Sequence, residues 1–349
     1  MYVLNAILDE LWRSILWKKK GKRLIPYIRK DRTFRKELRD KYLVGWNYSK
    51  HYVDSAIKQA YSTLNSWRKR YLKGKAGKRK PILKRKFVRI KETLYSYHNG
   101  IIKISVKPFK ESISIDLKEA WFWDRIAELE LGELILKHDM LIITVRKEAK
   151  LEVKNPVAWD INLLTMDGFD GKNDCTISLK KIYTIHRTYE LKRQTIQKLP
   201  DKTKKKLMKK YSSREKNKMK DVLHKIAKKL SNRTNVFEDL KSFKEKVART
   251  KSRRMNRQNS KHDYITLQKI VEYKLAWNGY VTIYVNPKGT SKTCSKCGYY
   301  NKDLKGAGTF KCLRCGLTID RQKNASRNIW NAFLRMWGNG FTPKGAQAQ

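Results

Sequence analysis

The chain has 349 residues, 40% of them apolar and including ten Trp and eighteen Tyr, which is enough for two or three domains and excludes a disordered polycation. Its 82 Lys and Arg against 32 acids give a formal charge of +50; a compact fold carrying that charge calls for a polyanion, and nucleic acid is the obvious one. No run reaches the ~18 apolar residues of a spanning helix, and no positive segment precedes an early apolar run, so the cytoplasm is the expected compartment and a membrane is not an expected partner.

Residues 1–17 predict an amphipathic helix interrupted by Asp9, Glu10 and Arg13. Residues 30–72 also predict helix, because Val53, Ile57, Ala60, Leu64, Trp67 and Tyr71 recur at three and four residues, the spacing of a core-facing stripe. Residues 68–91 hold thirteen basic residues and no acid, and Gly74, Gly77 and Pro81 make part of this stretch a loop. Such a run, punctuated by Trp67, Tyr71 and Phe87, favours phosphate contact over a merely solvated face. The candidates are Arg68, Lys69, Arg70, Lys78, Arg79, Lys80, Lys84, Arg85 and Lys86. Residues 94–148 change to a period of two, as in Ile102, Ile104, Val106 and again Leu141, Ile143, Val145, which predicts a small antiparallel barrel or sheet.

Residues 153–185 predict a strand pair centred on 157–161 and 176–185. Residues 186–230 predict two basic helices parted by Pro200. From Asp201 through Asp221 there are ten Lys or Arg and three acids, and Lys204, Lys205, Lys206, Lys209 and Lys210 form a second set of candidate phosphate contacts. Val222, Ile226 and Leu230 supply an apolar seam. Val236 and Phe237 read as a short strand ending at Glu238, 263–278 as helix, Val281, Ile283 and Val285 as strand, and 321–336 as a last helix with Ala325, Ile329, Phe333 and Met336 on one face. Residues 338–349 read as a flexible tail.

Two Cys-x-x-Cys pairs, Cys294 with Cys297 and Cys312 with Cys315, are separated by fourteen residues, and each is followed by glycine, Gly298 and Gly316. A two-residue gap lets both thiolates of a knuckle converge, and the glycine admits the positive φ that the turn requires. Two knuckles on a hairpin predict a zinc ribbon over 290–318. Four thiolates leave no open position, so the zinc is structural. Cys175 stands alone and reads as incidental.

With so few acids, those at element ends stand out. Asp160 lies in the apolar run Val157-Ala-Trp-Asp-Ile161, where a carboxylate is costly unless it is paired, holds a metal or lies at the exposed strand end. Glu238 closes a short strand, and Asp320 precedes the last helix, where it could equally be the cap. Together the three could converge on one side of an RNase H-like sheet and hold the two divalent cations that in-line phosphodiester hydrolysis needs. Mg²⁺ prefers such oxygen ligands. The six His are scattered and form no competing set.

These residues resemble the TnpB (OrfB) family of insertion-sequence proteins, relatives of the single-effector type V CRISPR nucleases. The segment Val281–Cys297 is similar to the family's strand, Pro, Thr-Ser and first knuckle; Cys312–Gly316, Asp320-Arg321 and Asn324–Ile329 are similar to its second knuckle and closing motif. Val236–Leu240 is similar to the motif carrying a catalytic Glu, and Asp160 with Asn162 to the motif carrying a catalytic Asp. The resemblance implies an α/β fold. A RuvC-type RNase H-like domain would span 151–337 with an inserted zinc ribbon, and a β-barrel wedge domain with a helical insert would span 1–150. It further implies a guide RNA, a DNA target, and Mg²⁺-dependent cleavage by Asp160, Glu238 and Asp320. One departure matters. The family's closing motif runs Asp-Arg-Asp-x-Asn-Ala, with the catalytic carboxylate two residues before the Asn, and here that position is Gln322. Either Asp320 takes over, or the chain binds its target without cutting it. A second departure is a helix at the start, where the family commonly has a strand.

Overall fold

Leu4, Ile7, Leu8 and Leu11 recur at helical spacing and are all buried along α1 (Tyr2–Arg13), the first element of the computed structural model, which describes residues 2–21, 23–240, 263–302 and 308–338. The chain divides into two units, 1–147 and 148–349.

In the first unit, α1 ends before the expected 17, and a hairpin of β1 (Leu16–Lys20) and β2 (Arg23–Tyr27) follows it. This hairpin escaped the periodicity because neither strand alternates apolar and polar residues. α2 (Arg32–Leu43) opens on Asp31, whose carboxylate accepts from the Phe34 amide at 2.8 Å, and α3 is Lys50–Leu72. The predicted stripe is the buried face of α3: Val53, Ile57, Ala60, Leu64 and Trp67 pack with the α1 leucines in one core. Six strands follow: β3 (Phe87–Ile90), β4 (Tyr95–His98), β5 (Ile101–Lys107), β6 (Glu111–Asp116), β7 (Glu130–Lys137) and β8 (Leu141–Arg146). They are hydrogen-bonded as two antiparallel sheets, β3-β7-β8 and β4-β5-β6, which share one core built around Ile90, Ile102, Ile104 and Leu134.

The second unit is organised on a five-stranded sheet in the order β11-β10-β9-β12-β13, made of β9 (Val157–Ile161), β10 (Thr165–Phe169), β11 (Asp174–Ser178), β12 (Asn235–Glu238) and β13 (Thr282–Val285). The first three pair antiparallel, while β12 runs parallel to both β9 and β13. Three strands therefore stand where a pair was expected. The expected strand 176–185 stops at Ser178, because Ile182 and Tyr189 then fall on the buried side of α4 (Lys180–Ile196). Pro200 caps α5 (Asp201–Leu230), and α6 (Tyr264–Trp277) completes a helical layer on one face. There Val157, Trp159 and Phe237 pack against Val222, Leu223, Ile226, Leu267 and Val271. After a short hairpin of β14 (Thr309–Lys311) and β15 (Thr318–Asp320), α7 (Arg321–Gly338) covers the opposite face, where Ile329 and Phe333 meet Ala158, Val236 and Ile283. The expected flexible tail lies, from residue 339, outside the described residues.

Strand alternation now fixes the chemistry. Residues of opposite parity face opposite sides. Trp159 and Phe237 point to the helical layer, so Asp160 and Glu238 belong to the face shared with Ala158, Val236 and α7. Phe237 and Trp159 are register partners in parallel strands, which sets Glu238 beside Asp160 at the carboxyl ends of β12 and β9. Among the described residues, no helix is long and apolar enough to cross a membrane.

Candidate functional site

The four cysteines converge as their spacing predicts. Their Sγ atoms all lie within 4.8 Å of one another, with Cys294–Cys315 and Cys297–Cys312 both at 3.6 Å. Thiolates placed tetrahedrally around zinc at ~2.3 Å would stand about 3.8 Å apart, so the group fits that ion. Gly298 (φ 74°) and Gly316 (φ 68°) take the left-handed conformation after each knuckle, and each amide returns to the first Cys carbonyl, Cys294 at 3.0 Å and Cys312 at 3.1 Å. The amides of Arg314 and Cys315 point at Cys312 Sγ from 3.4 and 3.5 Å, which favours a thiolate there. Phe310 is fully buried among these sulfurs. Cys175 is exposed on β11, apart from the group.

Asp160 and Glu238 line one cleft of ≈ 230 Å³ at the strand ends, together with Asn162, Tyr264 and Gln268. Burial pushes the Asp160 pKa up to about 7; the nearby Glu238 and Asp167 charges act in the same direction, and the bond donated by Asn162 acts against it. Asn162 Nδ2 donates to Asp160 Oδ2 at 2.7 Å. Burial likewise raises the Glu238 pKa against the hydrogen bond from Thr290, whose Oγ1 donates to Glu238 Oε1 at 2.5 Å. Among the described residues neither carboxylate has a salt-bridge partner. Of the α7 cations, Arg321 acts on Asp160 without an ion-pair contact and lowers its pKa, while Lys323 and Arg327 are turned to Asp174, at 3.9 and 2.8 Å. Half-buried carboxylates without an ion-paired cation are a donor set suited to a hard divalent ion.

Asp320 lies elsewhere. It is exposed and caps α7, accepting from the Gln322 amide at 2.8 Å and the Lys323 amide at 3.2 Å, and, like Asp167 and Gln322, it is not among the residues lining the cleft. A carboxylate that caps a helix is engaged by the helix's first amides. Gln322, in the first turn of α7, does face the sheet: its Oε1 position is 2.7 Å from Thr165 Oγ1. A further acid was missed. Asp167, on β10, is 5% exposed and pairs in register with Asp160. It sits in Asp167-Gly168, a dipeptide that reads as a turn, and only flanking strands on both sides reveal it as strand.

Residues 1–105 match the family model described as the uncharacterized protein MJ0013 family, and residues 264–329 match the Cas12f1-like TNB domain. A TnpB-like protein of Methanocaldococcus jannaschii, MJ1635, is 33% identical over 99% of this chain and 84% of its own length. The chain belongs to the TnpB family. A second TnpB-like protein of that organism, MJ0751, is 34% identical over 68% of this chain and 92% of its own. The solved Cas12f1–sgRNA–target DNA complex superposes with a TM-score of 0.62 over 94% of this chain and 80% of that one, at 16% identity. The two proteins thus share an α/β fold.

The cationic residues of this TnpB-family chain fall into two groups. Lys69, Arg70, Lys78, Arg79, Lys84, Arg85 and Lys86 are exposed around the end of α3 and the segment after it. Arg68 and Lys80 are already engaged: Arg68 Nε donates to the Pro26 carbonyl at 2.8 Å, and Lys80 pairs with Asp9. Lys78 also covers the Trp17 ring at 4.3 Å. Trp67 and Tyr71, read as punctuation of a phosphate-binding run, stack on each other at 5.3 Å inside the α1–α3 core, so their role is packing. On α5, Lys205, Lys206, Lys209 and Lys210 are exposed, and Lys204 pairs with Asp201 at 2.8 Å. The buried residues of that helix begin only at Met219, which leaves its first half as an exposed cationic comb.

Proposed function

We propose that the chain is an RNA-guided, Mg²⁺-dependent DNA endonuclease of the TnpB kind, cutting at a RuvC-type site on the Asp160–Glu238 end of its sheet. The observation that carries this reading is the meeting of these two acids at the carboxyl ends of adjacent parallel strands, in one cleft and without an ion-pair partner among the described residues. In open α/β sheets, that is where ligands bind. The strand order, three antiparallel followed by two parallel with helices on both faces, supports an RNase H-like domain over 151–337. The ribbon over 290–318 would hold structural zinc through Cys294, Cys297, Cys312 and Cys315. The region 1–150 supplies the proposed wedge, its two small sheets, with a helical recognition part over 30–72.

Asp160 and Glu238 would hold Mg²⁺, oriented by Asn162 and Thr290, which fix one oxygen of each carboxylate. The bound ions would lower the pKa of the attacking water and neutralise charge on the phosphate. Lys and Arg on α5 and around 69–86 would track the backbones of a guide RNA and its paired DNA strand, while base pairing reads the sequence.

A second reading, guide-directed DNA binding without cleavage, rests on Gln322 and on the capping role of Asp320. One experiment separates the two: the purified chain with its co-purified RNA, Mg²⁺ and a matched duplex. Cleavage that disappears in Asp160→Asn supports the nuclease; tight binding of intact DNA by wild type supports the second reading.

A further inference from the structure

Across β11, β10, β9 and β12, one row on the α7 face of the sheet reads Thr176, Asp167, Asp160, Glu238. Neighbouring strands are roughly 4.8 Å apart, so the three acids occupy adjacent positions on consecutive strands of one sheet face. Asp167 is the most buried of the three and has no salt-bridge partner among the described residues, in a chain with 82 Lys and Arg. Among the described residues its oxygens accept only from hydroxyls: Thr176 Oγ1 at 2.6 Å and Thr165 Oγ1 at 2.8 Å. A buried carboxylate left without a cation, where cations are abundant, is held for one that the chain does not provide.

Gln322 explains the exchange. Thr165 has a single hydroxyl hydrogen, yet its oxygen lies within bonding distance of both Asp167 Oδ2 and Gln322 Oε1. Turning the Gln322 amide resolves this, since the two amide orientations are interchangeable at the level of heavy atoms. Gln322 Nε2 then donates to Thr165, and Thr165 donates to Asp167. A neutral donor at 322 completes that relay. A carboxylate at 322 would instead compete with Asp167 for the hydroxyl.

We propose that Asp167, on β10, provides the third anionic oxygen ligand of the divalent-cation site, in place of the carboxylate missing at Gln322, and that Gln322 and Thr165 are its positioning residues. This rests on the nuclease reading. The ligand has moved from the first turn of α7 to the neighbouring strand, and the site keeps three carboxylates on one face.

The test uses the full chain and Mn²⁺, counted as free and bound ion by electron paramagnetic resonance, so that it reads the site without needing cleavage. Asp167→Asn should weaken Mn²⁺ binding by about tenfold or more, as removal of a ligand-shell group does. Adding Gln322→Asp to that variant should restore most of the loss, which a purely structural role for Asp167 would not allow. If Asp160→Asn weakens Mn²⁺ binding and Asp167→Asn does not, Asp167 is not a ligand and the nuclease reading stands. If neither substitution matters, both ideas fall. Should Asp167→Asn not fold, Asp167→Glu keeps the charge but moves the oxygens by one methylene; a changed Mn²⁺ spectrum supports ligation, and an unchanged one overturns it.

Discussion

Asn324 on α7 clamps Ser295 in the first cysteine knuckle: the Ser295 amide donates to Asn324 Oδ1 at 3.0 Å, while Asn324 Nδ2 donates to the Thr293 carbonyl at 2.8 Å. Asn324 is fully buried, and a turn later Asn328 Nδ2 reaches the Thr290 and Thr293 carbonyls at 2.8 and 2.6 Å. The ribbon is thus bolted to the helix that covers the face carrying Asp160 and Glu238. Thr290, in the same segment, holds Glu238. Asn324→Ala would leave a buried N–H and a buried carbonyl unmet, each at a cost of about 1–3 kcal/mol, so a loss of about 2–4 kcal/mol is expected in urea denaturation. Faster hydrogen exchange at Ser295 should accompany it. A loss well under 1 kcal/mol would mean the clamp is not buried in solution.

Zinc should be separable from the sheet. The sulfur cluster packs on Phe310 and Ile319, whereas the sheet has its own cores on both faces. In Cys294→Ser, bound zinc should fall from one ion per chain to none, as read by elemental analysis, with helical circular dichroism largely kept. Structural zinc contributes folding free energy to the ribbon itself, so proteolysis should then begin between the two knuckles. Undiminished zinc in the variant would contradict the four-thiolate site.

His186 on α4 makes stability pH-dependent. Its Nε2 faces Asp263 at 3.1 Å and its Nδ1 faces Glu215 at 2.9 Å; the hydrogen bond to Asp263 chiefly, and then that to Glu215, raise its pKa above the ordinary 6.5 against burial. Arg193 also pairs with Glu215, so Asp263 is the partner that loses its cation when His186 deprotonates. A group with a raised folded pKa stabilises fully below its unfolded value, and that contribution disappears as pH climbs through the folded one. The urea midpoint should therefore fall as pH rises from 6.5. His186→Gln, which cannot carry charge, should flatten that slope and be less stable than wild type at pH 6 by about 1–2 kcal/mol. Parallel slopes for the two proteins would show that His186 is not the titrating group.

Short-range chemistry was the most legible part of the sequence. The Cys-x-x-Cys spacing sets its own geometry, and the α3 stripe from Val53 to Trp67 declares a buried face through its period. Asp160 and Glu238 were visible because one interrupts and the other ends a short apolar run that alternation turns toward one side. What stayed hidden depends on partners distant in sequence. β10 is a strand because β9 and β11 flank it, despite its Asp-Gly. Asp320 and Gln322 are two residues apart, and no periodicity tells which of them caps the helix and which faces the sheet. Trp67 and Tyr71 fit both a core and a stacking platform until Trp12 and Trp17, from earlier in the chain, close over them.

The same distinction sorts the cationic residues into two classes with opposite phenotypes. Lys205, Lys206, Lys209 and Lys210 are exposed on the part of α5 that precedes its buried residues, so their charge can serve an external polyanion alone. Each phosphate contact contributes about 0.7–0.9 to the slope of log K against log salt, through release of condensed counterions. Replacing all four by Gln should lower that slope by up to about 3 while leaving the urea midpoint in place. Arg68→Gln should do the reverse. Its guanidinium tethers the α3 end to the Pro26 carbonyl in a half-buried setting, so the loss is about 1 kcal/mol of stability with little change in salt slope. Both are read from nucleic-acid titrations between 50 and 300 mM KCl (roughly the range over which such slopes are steep) and a denaturation curve. A quadruple variant with wild-type slope would remove α5 from the nucleic-acid interface and leave the segment from Lys69 to Lys86 to carry it.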